Sequence, residues 1–277
     1  MKKYLKALKR IAAGFIDKNF EFVSEISRAQ KFGIGASVKG EPLTCFKIGN
    51  GATKILFVSA IHGNEIGTVK LAHNIGRWFF QNKDNFKNLT LFVIPHLNPD
   101  GYKRALKSPD YKNGGQVGRF NANSVDLNRN FDTKNFTKES VWSFGKNYSK
   151  TREVFCGECG NSEPETKALT DFIKSQDIKI LFILHSVGLD VMPGHDELSQ
   201  KLARAYAQKA NFRLVTEGEI ANLKQTGTAR DWCEENNISY IEVEASQRYG
   251  SDWQRQKEAI KLIFKILNEE KNESKNN

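Results

Sequence analysis

A histidine and a glutamate lie three positions apart in the segment AIHGNE, residues 60–65, directly after a short hydrophobic run. Imidazole nitrogens and carboxylate oxygens are common zinc ligands, so His62 and Glu65 could bind a metal ion. The same spacing could also mark a helix that begins with a carboxylate near the positive end of its dipole. The pair alone does not decide between a metal site and a helix start.

Two further hydrophobic segments end in groups that can bind a metal or transfer a proton. ILFILH ends at His185, and YIEVE contains Glu242 and Glu244. Ligands of open α/β sheets bind at the carboxyl ends of the strands, so we expect these side chains to meet. Two neutral imidazoles and one carboxylate leave a zinc position open for water, which a nearby glutamate can deprotonate. The alternative for His185 is a histidine whose ring merely satisfies its hydrogen bonds at a strand end.

Arginine and asparagine side chains are concentrated in GRFNANSVDLNRNFD, residues 118–132. An enzyme that removes a terminal residue must bind a free carboxylate and stabilise an oxyanion. Guanidinium and amide groups can do both. Arg119, Asn128 and Arg129 are therefore candidates for these tasks. An asparagine-rich surface loop is the alternative, and it would not explain so many suitable side chains in one segment.

The elements that would position these residues alternate between strands and helices. Period-two or continuous apolar patterns predict strands at 44–50, 54–60, 89–99, 178–186 and 238–246. Helical periodicity occurs at 66–82, 162–176, 196–210 and 254–270. The Asn-Gly pair at 50–51 predicts a hairpin between the first two strands. We therefore expect an α/β fold with a mixed, largely parallel central sheet flanked by helices.

The polar stretch 101–160 is rich in glycine and asparagine and carries no clear periodicity. A loop of that length is unusual in a compact domain, which favours a functional role. We divide the chain into a helical extension at 1–35, a catalytic domain at 36–270 and a disordered tail at 271–277.

Composition limits the classes of function. The chain has 277 residues and a net charge of +10, with Lys+Arg 42 against Asp+Glu 32. This excess fits a lysine-rich surface or an acidic substrate. Basic runs interleaved with aromatic residues are missing, so we expect no nucleic-acid partner. Apolar runs are too short for a membrane span, and charges interrupt the N-terminal apolar pattern, which predicts a cytoplasmic protein. The sequence does not predict an oligomeric state.

The remaining histidines and cysteines are interpreted without a catalytic role. His73 and His96 lie inside predicted elements and are taken as structural, and His195 is taken as a surface residue. Cys156 and Cys159 form a CxxC pair whose second half is missing, so a reduced or occasionally oxidised pair is favoured over a metal site.

Together, the motifs HGNE, NPDG, GRFNANSVDLNRNF, NSEPET, LHS and TGTARDW with YIEVEAS resemble the zinc carboxypeptidase family. Within that family the sequence is similar to the bacterial murein peptide amidase A type, from about residue 36 to residue 270. The resemblance implies a mixed sheet between helices and a single zinc ion. It also implies a metallocarboxypeptidase or peptide amidase that cleaves an amide bond next to a free carboxylate in a peptide or muropeptide.

The resemblance also implies a role for each candidate residue. His62, Glu65 and His185 would bind zinc, and Asp126 would accept a hydrogen bond that orients His62. The substrate would be bound and activated by four further residues: Arg119 at the scissile carbonyl, Asn128 and Arg129 at the terminal carboxylate, and Glu244 as general base and then general acid.

Two positions depart from the family pattern or leave it ambiguous. Digestive members carry a mobile tyrosine upstream of the catalytic glutamate, and the corresponding segment here, ANLKQTG at 221–227, has none. Glu242 and Glu244 point to the same face of their strand, so Glu242 remains an alternative general base.

Arg230 lies close to where the family places the residue at the floor of its specificity pocket. A cation there predicts a leaving residue with a side-chain carboxylate, such as glutamate, aspartate or diaminopimelate. Alternatively, Arg230 pairs with a neighbouring acid such as Glu234 or points to solvent.

Two other functions stay open at this point. HGNE and DLNR also occur in the aspartoacylase and succinylglutamate desuccinylase group, which cleaves N-acyl amino acids, whereas NPDG and GRFNAN favour a peptidase. A catalytically inactive binding module is disfavoured because each catalytic position is filled.

Overall fold

The computed structural model describes residues 29–108, 116–145 and 148–273. Ten strands occur in these ranges: β1 (Gln30–Ala36), β2 (Pro42–Ile48), β3 (Thr53–Ser59), β4 (Leu89–Ile94), β5 (Glu139–Phe144), β6 (Lys150–Phe155), β7 (Ile180–Ser186), β8 (Asp190–Pro193), β9 (Arg213–Leu214) and β10 (Ser239–Ala245). The helices there are α1 (Ile66–Asn82), α2 (Pro99–Lys107), α3 (Pro164–Gln176), α4 (Glu197–Ala210), α5 (Glu217–Asn222), α6 (Ala229–Glu235) and α7 (Trp253–Glu273). Short 3-10 turns span Lys83–Asn85 and Leu127–Arg129.

Eight of these strands form one mixed sheet in the order β1-β2-β4-β3-β7-β10-β8-β9. The pairs β3–β4, β3–β7, β7–β10 and β8–β9 are parallel, and the other neighbouring pairs are antiparallel. The predicted fold class, a mixed and largely parallel sheet flanked by helices, is confirmed.

Helices cover both faces of the sheet. Successive residues of β3 enter opposite core layers, with Phe57 in one and Leu56 in the other. The first layer packs against α1, α4 and α7, and the second against α3 and α6. Burial on both faces explains why the central strands are continuous apolar runs rather than alternating ones. In the described ranges, no helix combines the length and the apolar character that crossing a membrane requires.

The predicted hairpin at Asn50–Gly51 is wrong, because β4 lies between β2 and β3. β4 pairs antiparallel with β2 and parallel with β3. The Gly51 amide donates to the Leu89 carbonyl at 3.2 Å, and a side chain at Gly51 would collide with the backbone of Asn88. Glycine is needed there for this close approach of two chain segments, not for a two-residue turn.

Other expectations also need correction. The stretch 101–160 is not irregular throughout, since it contains most of α2 and the separate two-stranded sheet β5–β6. Residues 30–35 belong to β1, which pairs with β2, so the sheet begins before residue 36. Residues 1–28 of the predicted N-terminal helical extension lie outside the described residues. Helix α7 reaches Glu273, so residues 271–273 are helical, and 274–277 lie outside the described residues.

The carboxyl ends of β3, β7 and β10 lie side by side. Ser59 is opposite Leu184 in the β3–β7 pair, and Glu244 is opposite His185 in the β7–β10 pair. This register places the segment after β3, the end of β7 and the end of β10 at one edge of the sheet, as expected from the sequence.

Candidate active site

Three side chains converge at this edge of the sheet. The Nδ1 atom of His62 lies 3.0 Å from Glu65 Oε1, and the Nδ1 atom of His185 lies 3.0 Å from Glu65 Oε2. All three side chains are buried, and one ligand atom from each lies within 4.8 Å of the others. Glu65 occupies the N-cap position of α1, yet its side chain makes no capping hydrogen bond. The carboxylate therefore contacts the two histidines and does not cap the helix.

The electrostatics of this trio suit a divalent cation. Burial would raise the pKa of Glu65, but the imidazoles of His185 and His62 outweigh burial and lower that pKa. Burial would lower the pKa of His185, but Glu65 and then Glu242 raise it to about 9. Two nitrogens and one carboxylate form the donor set of a catalytic zinc site with one open position. A cation would replace the proton that Glu65 otherwise favours on His185.

The NPDG motif connects the His62 loop to Arg119. The Asn98 side chain accepts a hydrogen bond from the Gly101 amide at 2.8 Å and so caps α2. Its amide nitrogen donates to the carbonyls of Ile61 at 3.4 Å and Arg119 at 3.2 Å. Gly63 lies against α2, where a side chain would collide with the helix backbone. The NPDG motif, which supplies no metal ligand, thus fixes the backbone next to His62 and the backbone of Arg119.

Asp126 connects the metal ligands to the arginine of the site. Its Oδ1 lies 3.0 Å from His62 Nε2 and accepts from the Asn128 amide at 3.1 Å, and its Oδ2 accepts from Arg119 Nη2 at 2.8 Å. Burial would raise the Asp126 pKa, but Arg119 and His62 hold it well below its usual range. An ionised carboxylate here accepts a hydrogen bond from the Nε2–H group of His62, which leaves Nδ1 available for a metal.

Arg119 is held on the wall of the site. Its Nη1 lies 3.3 Å from His62 Nδ1, and its guanidinium carbon lies 4.2 Å from the ring centroid of Trp142 on β5. A cation over an indole face is attracted to the ring. Its Nε has no hydrogen-bond partner in the described part of the chain. Arg119 is thus close to the trio, and its role at the substrate carbonyl stays a prediction.

Asn128 and Arg129 follow Asp126 on the 3-10 turn and line the same cavity. Asn128 accepts from the Ala229 amide at 3.1 Å, and its nitrogen lies 3.3 Å from His185 Nε2. Arg129 donates to the carbonyl of Val141 at 3.0 Å, and burial lowers its pKa. Their location fits binding of a substrate carboxylate, which stays a prediction.

The two glutamates of β10 differ in their surroundings. Glu244 Oε2 is shielded from solvent and has no hydrogen-bond partner among the described residues. Burial raises the Glu244 pKa to about 8, with His185 opposing this shift and Glu65 adding to it. Glu242 accepts from the Tyr240 hydroxyl at 2.5 Å and lies 3.9 Å from His185 Nε2. A carboxyl group with a raised pKa and no fixed partner suits proton transfer, which favours Glu244 as the base.

These side chains line one cavity of about 470 Å³. The predicted residues on its wall are His62, Glu65, Arg119, Asn128, Arg129, His185, Glu242 and Glu244. Asp126 lies behind this wall, fully buried. A second cavity of about 230 Å³, named here the side cavity, adjoins it and also contains Arg230.

Arg230 already has polar partners. Its Nη2 lies 2.8 Å and 3.0 Å from the two carboxylate oxygens of Glu217, and its Nε donates to the Pro193 carbonyl at 2.7 Å. Glu234, suggested from the sequence as a partner, instead pairs with His195 at 2.9 Å. The charge of Arg230 is therefore compensated before any substrate enters.

Several residues of the main cavity were not predicted. The hairpin β5–β6 contributes Trp142, Phe144 and Tyr148. The Tyr148 hydroxyl donates to Asp190 at 2.7 Å, and Asp190 also accepts from Arg213 at 2.8 Å. The apolar alternation in ESVWSF could have predicted β5, but nothing in the sequence indicates where Tyr148 lies.

The segment that lacks the family's tyrosine, 221–227, contributes Leu223 and Gln225 to the main cavity. Cys156 and Cys159 do not line that cavity and are free thiols, the first buried and the second exposed.

Comparisons with known proteins agree with this geometry. A family model described as zinc carboxypeptidase matches residues 22–272. Carboxypeptidase O from Homo sapiens is 29% identical over an alignment of 280 positions, gaps included, that covers 83% of this chain and 70% of that protein. Mast cell carboxypeptidase A from Mus musculus is 29% identical over an alignment of 259 positions, gaps included, that covers 81% of this chain and 58% of that protein. For carboxypeptidase O from Bos taurus, the match spans 65% of the relative.

Solved structures show the same fold at lower identity. Murein-tripeptide amidase MpaA from Escherichia coli O157 superposes with a TM-score of 0.63 and 24% identity, covering 88% of this chain and 95% of that one. Thrombin activatable fibrinolysis inhibitor superposes with a TM-score of 0.70 and 20% identity, covering 90% of this chain and 71% of that one.

Proposed function

Because the chain belongs to the zinc carboxypeptidase family, we propose that it is a zinc-dependent hydrolase that removes a residue with a free α-carboxylate from a peptide. One observation carries this proposal: His62, Glu65 and His185 converge, buried, on the cavity that also contains Glu244. A buried trio with an adjacent proton-transfer group is the arrangement that metal-assisted amide hydrolysis requires.

The metal would be held by His62, Glu65 and His185, and when bound it supplies a Lewis acid and a water molecule of lowered pKa. Glu244 takes the proton of the attacking water and then donates it to the departing nitrogen. Arg119, with Nε unpartnered, stabilises the negative charge that develops on the carbonyl oxygen.

Asn128 and Arg129 hold the terminal carboxylate of the substrate, Arg129 through a guanidinium that can form forked hydrogen bonds. Recognition of this carboxylate limits cleavage to the last residue of the substrate peptide.

The finer proposal is a muropeptide substrate with diaminopimelate as the leaving residue. The solved structure of the murein-tripeptide amidase, which shares this fold, supports it. Diaminopimelate carries a side-chain ammonium as well as a carboxylate. Glutamate and aspartate carry only the carboxylate, which would have to compete with Glu217 for Arg230 and approach Glu242.

Mass spectrometry of the products from a mixed substrate panel tests both the carboxypeptidase activity and the muropeptide substrate. The panel contains peptides with varied last residues, the same peptides as C-terminal amides, a muropeptide with a γ-D-glutamyl–diaminopimelate bond, and N-acetylaspartate. We expect single-residue release from free peptides or the muropeptide and none from the amides. Hydrolysis of N-acetylaspartate alone would show a deacylase, and equal cleavage of the amides would refute carboxylate recognition.

A further inference from the structure

The side cavity opens into the wall of the active site. The residues shared between the two cavities are Asn128, Met192, Leu223, Gln225 and Glu242. Its volume of about 230 Å³ is sufficient for one long side chain. Asn128 lies at the junction, so a residue whose carboxylate is bound there can extend its side chain into the side cavity.

Part of the side cavity is aliphatic. Met192 and Leu223 are buried, and together with Ile220 they form a small apolar group on its wall. Such a surface favours methylene groups, at about 25 cal/mol per Å² of apolar area removed from water. The cavity is therefore suited to a side chain with an aliphatic stem.

Most of the other charged groups on the wall of the side cavity are compensated. Arg230 and His195 both pair with Glu217, and His195 also pairs with Glu234. Among its other lining residues, Lys224 is exposed to solvent.

Asp231, which also lines the side cavity, accepts hydrogen bonds from Asn135 at 3.1 Å and from the Thr228 amide at 3.3 Å. Its carboxylate therefore belongs to the cap of helix α6.

Glu242 differs from these groups. Its side chain is 14% exposed, and it borders both cavities. In the described ranges its hydrogen-bond and ion-pair contacts are the Tyr240 hydroxyl and the more distant His185. It forms no ion pair with a lysine or arginine of these ranges, and Arg129 interacts with it electrostatically from beyond ion-pair distance. A negative charge with limited solvation therefore faces the space next to the aliphatic wall.

We propose that Glu242 binds an ammonium or guanidinium group on the side chain of the leaving residue. The side cavity then selects an aliphatic stem that ends in a positive charge, and Glu242, not Arg230, determines the preferred charge. This inference rests on the proposed carboxypeptidase function and deepens it. Lysine, arginine and the ammonium of diaminopimelate fit this description, whereas glutamate and aspartate do not.

The test compares kcat/KM for three peptides that differ only in the last residue: lysine, norleucine or glutamate. Norleucine keeps the methylene stem of lysine and lacks the ammonium, so the lysine-to-norleucine ratio isolates the charge. Because Glu242 retains some solvent contact, we expect a ratio of about 10 to 100 in the native protein, with glutamate the poorest substrate.

Glu242→Gln should lower the lysine-to-norleucine ratio to near one while the zinc content stays the same. The matched variant Arg230→Gln frees Glu217, so it should keep or increase the preference for lysine. A native protein that cleaves norleucine and lysine equally refutes this inference alone. Equal loss on all three peptides in Glu242→Gln also refutes it, because Glu242 would then act in the chemistry. No cleavage of any peptide refutes the proposed function as well.

Discussion

Asp126→Asn is the substitution that best separates the positioning of the metal ligands from the positioning of the arginine. The native carboxylate accepts hydrogen bonds from His62, Arg119 and the Asn128 amide. Asparagine has nearly the same shape, and its oxygen can still face His62 and Asn128. Its NH₂ group would then face Arg119 Nη2, so two donors would oppose each other in a buried place.

The expected magnitudes follow from these contacts. Loss of the carboxylate that orients a ligating histidine typically weakens metal binding by about 10- to 100-fold. Breaking a buried ion pair costs about 3–5 kcal/mol, and we expect the lower end because Arg119 borders the cavity and can regain water. For a chain of this size, a loss of about 3 kcal/mol lowers Tm by roughly 6–12 °C.

Zinc affinity is measured by competition with a chromogenic chelator, alongside kcat/KM and thermal unfolding. The matched control is Arg119→Gln, which leaves the Asp126–His62 contact in place. It should retain near-native zinc affinity and lose turnover, whereas Asp126→Asn should lose both. If Asp126→Asn binds zinc as tightly as the native protein while Arg119→Gln does not, the assignment of Asp126 to His62 is refuted.

Four further outcomes are expected. The purified protein should contain about one zinc ion, and activity should disappear on chelation and return with zinc; activity that survives metal removal would contradict the site. Glu244→Gln should keep zinc and lower kcat by about 10²- to 10⁴-fold, with a smaller effect of Glu242→Gln on neutral leaving residues; the reverse order would make Glu242 the base. Zinc must displace the proton of His185, whose pKa is raised to about 9, so affinity should increase roughly tenfold per pH unit up to that value, and a flat profile in chelator competition would contradict this. Burial and, next, the neighbouring His96 lower the pKa of His73 to about 3. Burial and, next, the charge of Lys103 lower the pKa of His96 to about 4. Unfolded histidines bind protons below about pH 6.5 and these two do not, so Tm should fall as pH drops from 6.5 towards 4, and His96→Phe should flatten that decline.

The parts of the fold that were predictable are those governed by local pattern. Helix α1 has the predicted bounds because its apolar residues recur at helical spacing, and these residues are the ones that it buries against the sheet. The Asn-Gly turn was misassigned because a local turn preference competes with long-range pairing, and β4, about 40 residues later, displaces β3 from β2. The hairpin β5–β6 was missed because its strands lie within a polar stretch and outside the main sheet.

In the site, too, residues placed by local pattern were predictable and residues placed by long-range packing were not. His62 and His185 were predictable because the first follows a buried strand and the second lies at the end of one, and parallel strands bring their carboxyl ends together. Tyr148 could not be placed, because its approach to Asp190 depends on how a separate hairpin packs against the sheet. Arg230 was identified, but its partner Glu217 comes from another helix. The charge that the side cavity prefers in a bound side chain could therefore not be derived from the arginine alone.

The contact between Trp142 and Arg119 also gives the protein a built-in optical probe. The chain has four tryptophans, and Trp142 is the one whose indole face lies 4.2 Å from the guanidinium of the proposed oxyanion-binding residue. Indole emission responds to a nearby charge and to water at the ring. Occupation of the cavity would alter both, so the arrival of an unlabelled substrate or inhibitor can be followed in real time by its change in fluorescence.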